Sequence, residues 1–138
     1  MSDVQQREAA AASPAAGDPA LTVAAVGAAL GAEVLFCPDG AVPVAGVVAA
    51  DLMSDVLVDG RPGFVLVTGL VNVQVIRTAV VADLAAVVFA RGKPVPEEVL
   101  ALAREMKVPV LAARSSQFET AGRLYALVRE RAGAAGAA

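Results

Sequence analysis

Few side chains in this sequence have the chemistry for catalysis or ligand binding, and their spacing limits what they can do. Asp51 and Asp55 lie four positions apart in DLMSDVL (51–57), so a helix over that segment puts both carboxylates on one face, with Ser54 beside them. Such a pair can do acid–base work or hold a divalent ion, although two ligands do not complete a metal site. The plainer alternative makes Asp51 the N-cap after a strand and leaves Asp55 exposed or paired with an arginine. Cys37 sits in FCPDG with Asp39 as the nearest charge. A reactive thiolate needs a base or positive charge beside it, so a packed or half-exposed thiol is expected. Arg77 interrupts an apolar helical stretch and can face a ligand, a partner or solvent.

Three turns carry the remaining candidates: Thr68-Gly69-Leu70-Val71-Asn72, Ala90-Arg91-Gly92-Lys93-Pro94 and Arg114-Ser115-Ser116-Gln117. Each follows an apolar strand-like run. In an open α/β sheet, ligands gather at the carboxyl ends of strands, where helix N-termini offer unsatisfied N–H groups. Thr68, Gly69, Asn72, Arg91, Gly92, Lys93, Arg114, Ser115 and Ser116 are therefore candidate ligand-binding residues. The three cations among them suit a phosphorylated or nucleotide ligand. The alternative is ordinary capping by Asn72, Ser115 and Ser116 with solvated basic residues. Neither a phosphate-loop motif nor a GxGxxG fingerprint is present.

Composition excludes several classes of function. With His 0 and Cys 1, no histidine-based triad, histidine-ligated metal, internal disulfide or cysteine cluster can form within the chain. A net charge of -3 with Trp 0 and Tyr 1 offers neither a basic stripe nor a stacking surface for nucleic acid. The mean hydropathy is +0.66, but Ala and Val supply most of it. The longest stretch free of charge, Pro62 to Ile76, contains Gly63, Thr68, Gly69, Asn72 and Gln74. It falls short of the roughly 20 apolar residues a membrane span needs. The polar, acidic start lacks the pattern of a secretory signal, so a cytoplasmic location is expected. No residue set calls for a metal or cofactor, and no catalytic residue is assigned.

Alternating elements must position these turns. Residues 1–18 and 133–138 are low-complexity and are expected to be disordered tails flanking one domain over 19–132. A helix over 21–30 is capped by Thr22 and closed by Gly31. Short strands follow at 33–36 and 44–50, the second expected to be covered on both faces, then a helix over 51–58. FVLVT (64–68) reads as the clearest strand. Asn72 caps a helix reaching about Asp83, with Gln74, Arg77 and Thr78 on its polar side. AVVFA (86–90) is a buried strand, and Pro96-Glu97-Glu98 opens a helix with Val99, Leu102, Ala103 and Met106 as its apolar stripe. A strand over 108–113 precedes a last helix from Ser116 to Arg131, with Phe118, Ala121, Tyr125 and Val128 facing inward. This order predicts an α/β fold, a single compact domain with a mostly parallel sheet flanked by helices. The first half can add an antiparallel or irregular edge.

The blocks GAEVL (31–35), VAGVVAADLMSDVL (44–57), FVLVTG (64–69), ADLAAVVFARGKPVPEEVLALAREMKVPVLAARSS (82–116) and FETAGRLY (118–125) resemble the DRTGG domain family, which is distantly similar to the N-terminal domain of HPr kinase. The family's modules are attached to phosphotransacetylases and CBS-domain pyrophosphatases. The match looks closer to the small stand-alone members that sit beside iron-iron hydrogenase and sensor-kinase genes. The chain departs from the family signature: Leu70-Val71 stand where the family has Asp-Arg, and Ala90-Arg91-Gly92 occupy the Thr-Gly-Gly turn. Leu and Val cannot supply the charge or hydrogen bonds of Asp and Arg.

Leu70, Val71, Val73, Val75, Ile76, Val80 and Val81 crowd one loop and helix. A helix apolar nearly all round needs a second burial, which a two-fold copy would provide, with Leu70, Val71, Val73 and Ile76 as the interface. The expected function is a non-catalytic regulatory or ligand-sensing, dimerising module. By resemblance, it would work beside a hydrogenase or a kinase-type phosphorylation-signalling protein. A pure interaction subunit without a small ligand is the alternative, and a small acid–base enzyme the more distant one.

Overall fold

The computed structural model describes residues 21–137. The tail expected over 1–18 lies outside them. Helix α1 (Val23–Leu30) begins where the Thr22 side chain accepts from the Ala25 N–H at 3.1 Å, and it ends on Gly31 at φ 59. Both ends follow from local sequence: a hydroxyl satisfies an early N–H, and glycine takes the left-handed conformation without steric cost.

Strands β1 (Glu33–Phe36) and β2 (Gly46–Ala49) precede helix α2 (Met53–Asp59). Strand β3 (Phe64–Thr68), helix α3 (Val73–Val81), strand β4 (Ala86–Phe89), helix α4 (Glu97–Met106), strand β5 (Val110–Ala112) and helix α5 (Gln117–Ala137) complete the chain. The five strands form one sheet in the order β1-β5-β4-β3-β2. β2 to β5 run parallel, and β1 pairs antiparallel with β5 through a register irregularity between Val34 and Phe36. This is the mostly parallel α/β architecture with an irregular antiparallel edge that the element order predicts.

Successive strands from β2 to β5 step across the sheet in one direction, and their connecting helices α2, α3 and α4 share one face. Val56, Val75, Ile76, Ala79, Val99 and Ala103 pack there against Leu66, Val87 and Val110. On the other face, α1 and α5 bring Val23, Val26, Leu30 and Leu124 onto Val65, Val67, Val88 and Leu111. β3 thus alternates its side chains between two apolar layers, as period-two geometry requires.

Three details differ from expectation. β2 is an edge strand shorter than expected, Gly46–Ala49, with Val47 and Val48 packed into opposite layers and Ala49 exposed. Thr78, grouped with the polar side of α3, is buried. In α5 the inward stripe is Thr120 and Leu124, joined by Ala121, Leu127 and Val128, whereas Phe118 and Tyr125 are 87% and 65% exposed. A stripe one position away has the same helical period, so the pattern alone cannot choose between them. The helix also continues past Arg131 to Ala137, consistent with the high helix propensity of alanine.

Candidate functional site

The parallel order brings the turns after β2, β3, β4 and β5 to one edge of the sheet. Asp51, just after β2, accepts through Oδ1 from the Thr68 hydroxyl at 2.9 Å and from the Gly69 N–H at 2.8 Å. Thr68 is fully buried, and its Oγ1 accepts in turn from the Leu70 N–H at 3.1 Å. On the other side of the same residue, Lys93 Nζ donates to the Gly69 carbonyl oxygen at 2.6 Å. Gly69 is therefore pinned by a carboxylate on its N–H and an ammonium on its C=O. The Gly69 N–H holds the Asp51 carboxyl below its ordinary range, against a partial desolvation penalty. The Thr68 hydroxyl, the Gln117 side chain and the charge of Lys93 act in the same direction as Gly69.

Asp51 is consequently not the N-cap of α2. Leu52 occupies that position and makes no side-chain cap bond. The carboxylate meets the buried hydroxyl and the N–H at the end of β3, a charge-assisted acceptor role that sequence-local capping does not offer. Asp55 is exposed on α2 and takes no part. The two carboxylates serve different purposes, which leaves the acid–base pair without a shared cleft.

Past the ends of β4 and β5 the backbones stay side by side: the Arg91 N–H donates to Ser115 O at 2.8 Å and the Gly92 N–H to Ala113 O at 2.9 Å. Arg91 and Gly92 both have positive φ, 72 and 65. Gly92 takes this conformation freely, whereas Arg91 adopts it against its Cβ. Arg91 and Arg114 are exposed, and among the described residues neither forms an ion pair.

Of the nine candidate residues, Thr68, Gly69 and Lys93 join the network around Asp51. Asn72 caps α3 through Oδ1 to the Val75 N–H at 3.2 Å, and Ser116 Oγ caps the Glu119 N–H at 3.1 Å. Gly92 and Ser115 lend backbone groups to the paired turns. Arg91 and Arg114 keep their side chains uncommitted. Sequence reasoning put Gln117 in one of these turns without linking it to Asp51, and it did not bring Asp51 to this edge. An aspartate directly after a buried strand run was the available signal, but its partner lay on another turn.

The apolar loop and helix are used differently from expectation. Ile76 is 0% exposed in the core between α3 and the sheet, so it has no surface to give an interface. Leu70, Val71 and Val73 are half-buried and pack against that same core. The second burial of α3 comes from its neighbours α2 and α4. What remains outside is Val80 and Val81 on α3, with Leu57 and Val58 on the adjacent α2. Arg77 and Gln74 lie exposed on α3. Cys37 is half-buried, and burial pushes its thiol above the ordinary value. Among the described residues no group of three His, Cys, Asp or Glu could hold a metal ion, and no helix is long and apolar enough to cross a membrane.

Comparison with known proteins points to one family. The model described as DRTGG domain matches residues 25–127. A search of curated proteins finds no match. Among solved structures, the chain is similar to the CBS and DRTGG domains of the regulatory region of Clostridium perfringens pyrophosphatase, a structure described as complexed with the activator diadenosine tetraphosphate. The TM-score is 0.61 at 17% identity, covering 87% of this chain and 54% of that one. The chain thus spans about half the length of that regulatory region.

Proposed function

The chain belongs to the DRTGG domain family, and on that premise we propose that it is a non-catalytic, ligand-sensing regulatory module that acts as a homodimer in the cytoplasm. One observation carries the ligand half: Arg91 and Arg114 stand exposed and, among the described residues, without an ion-pair partner at the carboxyl ends of adjacent parallel strands, with Lys93 beside them. That position suits an anionic small molecule, either a nucleotide or another phosphorylated metabolite. A nucleotide activator on the regulatory region of the pyrophosphatase supports the same class of ligand.

Mechanistically, an anion drawn to Arg91 and Arg114 competes for Lys93, which otherwise holds the Gly69 carbonyl. Release of that carbonyl frees the turn leading to Leu70 and Val71, and through it α3. Self-association then uses the exposed apolar ends of α2 and α3, Leu57, Val58, Val80 and Val81, in place of Ile76. Resemblance to stand-alone family members beside hydrogenase and sensor-kinase genes supports a hydrogenase or kinase-type signalling protein as the partner.

Thermal-shift screening of the full chain against adenine nucleotides, acyl phosphates and other phosphorylated metabolites tests the ligand half, because a ligand binding the native state raises the midpoint. Sedimentation with and without the ligand found then reads the change in association. Flat shifts across the panel favour the pure interaction subunit, which one observation independently supports: Thr68, Gly69, Asn72 and Ser116 already satisfy one another or cap helices.

A further inference from the structure

We propose that β2 pairs with β2 of a second copy of this chain, antiparallel about a two-fold axis at Val48, so that the two sheets join into one. The pairing rests on the self-association proposed above and gives it a geometry.

The two edges of the sheet differ. β1 carries Glu33 and a register irregularity between Val34 and Phe36, devices that discourage pairing with another strand. β2 has no charge and no proline, and it keeps an unbroken register with β3 from Gly46 to Ala49. Its outward backbone groups follow from the bonds along β3. Thr68 O accepts from the Ala90 N–H on the β4 side at 2.9 Å, and Val67 O accepts from the Ala50 N–H on the β2 side at 3.2 Å. Carbonyls alternate along a strand, so Val65 O serves Val48, and the N–H and C=O of Val47 and Ala49 turn to the open side. Among the described residues no backbone bond from outside the sheet reaches them.

The extent of this open stretch selects the occupant. Before it, Leu21 O accepts from the Val44 N–H at 2.8 Å and so takes the outer side of the chain. After it, the chain turns at Asp51 into α2. A long extended peptide would run into Leu21. β2 is only 4 residues long and itself turns away at both ends, so a second β2 fits the stretch. With Val48 on the axis, Val47 of one copy lies opposite Ala49 of the other, and each such pair exchanges both of its N–H···O bonds. The pairing sets no like charges opposite each other.

The same axis stands perpendicular to the sheet and brings α2 of both copies onto one face. α2 packs there through Val56, in the layer that also holds Val48. Leu52 at its start, with Leu57 and Val58 along it, is exposed in the single chain. Covering such side chains adds the apolar burial that a few backbone bonds do not provide.

The test compares sedimentation of the full chain for wild type, Ala49→Lys, Ala49→Pro and Val34→Lys. The lysine at 49 blunts the β2 edge, the proline removes the outward N–H of Ala49, and the lysine at 34 alters the opposite edge alone. Wild type and Val34→Lys should form the same dimer. Both Ala49 variants should weaken it roughly tenfold or more, as loss of interface hydrogen bonds implies, with unchanged helical circular dichroism. In wild type the Val47 and Ala49 amides should exchange hydrogen slowly at concentrations that favour the dimer and faster on dilution, a readout that needs no variant to fold. Dimers of equal strength in wild type and both Ala49 variants overturn the edge pairing and leave self-association in place. Equal exchange of the two amides in dimer and monomer does the same, as does dissociation by Val34→Lys. A wild-type monomer at micromolar concentration removes self-association itself and the pairing with it.

Discussion

Lys93 reaches from the turn after β4 to the carbonyl oxygen of Gly69 at the end of β3, 2.6 Å away, while the N–H of Gly69 donates to Asp51 after β2. One glycine thereby ties together the ends of three neighbouring parallel strands through a cation on one side and an anion on the other.

Removing the acceptor should cost more than removing the donor. Asp51→Ala leaves the Thr68 hydroxyl without its acceptor at a fully buried position and frees the Gly69 N–H. A loss of about 1–3 kcal/mol is expected from urea unfolding. Lys93→Met keeps an apolar stem and removes a single hydrogen bond, the one to the Gly69 carbonyl, so a loss of about 1 kcal/mol is expected. The reverse order would mean that the lysine dominates the network.

Acid should weaken the fold through the same aspartate. The native Asp51 carboxyl ionises below its ordinary range, chiefly because the Gly69 N–H donates to it, so the unfolded chain binds this proton more readily. Its contribution is complete above the ordinary carboxylate value of about 4 and is lost as the pH falls through the depressed native value. Unfolding midpoints followed from about pH 6 downward should decline less steeply in Asp51→Asn than in wild type. Parallel curves would exclude Asp51 as a contributor to the acid limb.

Two glycines should answer differently to alanine. At Gly60 an added Cβ would lie 2.6 Å from the backbone oxygen of Val56, so Gly60→Ala must displace the end of α2. A loss of about 1–3 kcal/mol is expected. At Gly69 the nearest atoms to an added Cβ are at 3.7 Å, an ordinary contact, and Gly69→Ala should stay within about 0.5 kcal/mol of wild type. Denaturant midpoints of the two variants decide it.

Self-association should depend on residues outside the core. Val58→Asp together with Val81→Asp places charges on the exposed ends of α2 and α3, at positions 69% and 74% exposed. Sedimentation should find wild type dimeric and the variant monomeric, with unchanged helical circular dichroism. A wild-type monomer at micromolar concentration removes the dimer from the proposed function.

Features fixed by neighbours along the chain were legible in the sequence. Thr22 and Asn72 cap their helices from three residues away, Gly31 closes α1, and Phe64–Thr68 forms its strand from β-branched and aromatic residues. The turns carrying Arg91, Lys93 and Arg114 do meet at one edge, as alternating strands and helices imply. Asp51 was hidden because its partners, Thr68 and Gly69, lie 17 and 18 positions away; local reasoning finds the nearer vacancy at a helix start. Phe118 and Tyr125 share a helical stripe with Ala121 and Val128 in the sequence, but the face of a helix that meets a sheet depends on the sheet. Ile76 was assigned to a partner because the pattern did not show that α2 and α4 would flank its helix.

The Asp51 network draws its members from four different crossings of the sheet: Asp51 after β2, Thr68 and Gly69 at the end of β3, Lys93 after β4 and Gln117 after β5. No single βα unit contains enough of it to assemble alone. An intermediate lacking β2, β3 or β4 would lose the pinned glycine, and one lacking β5 would lose only the support that Gln117 gives Asp51. The integrity of this edge thus records whether β2, β3 and β4 stand together, and unfolding at the β2 flank would be reported at the centre of the sheet.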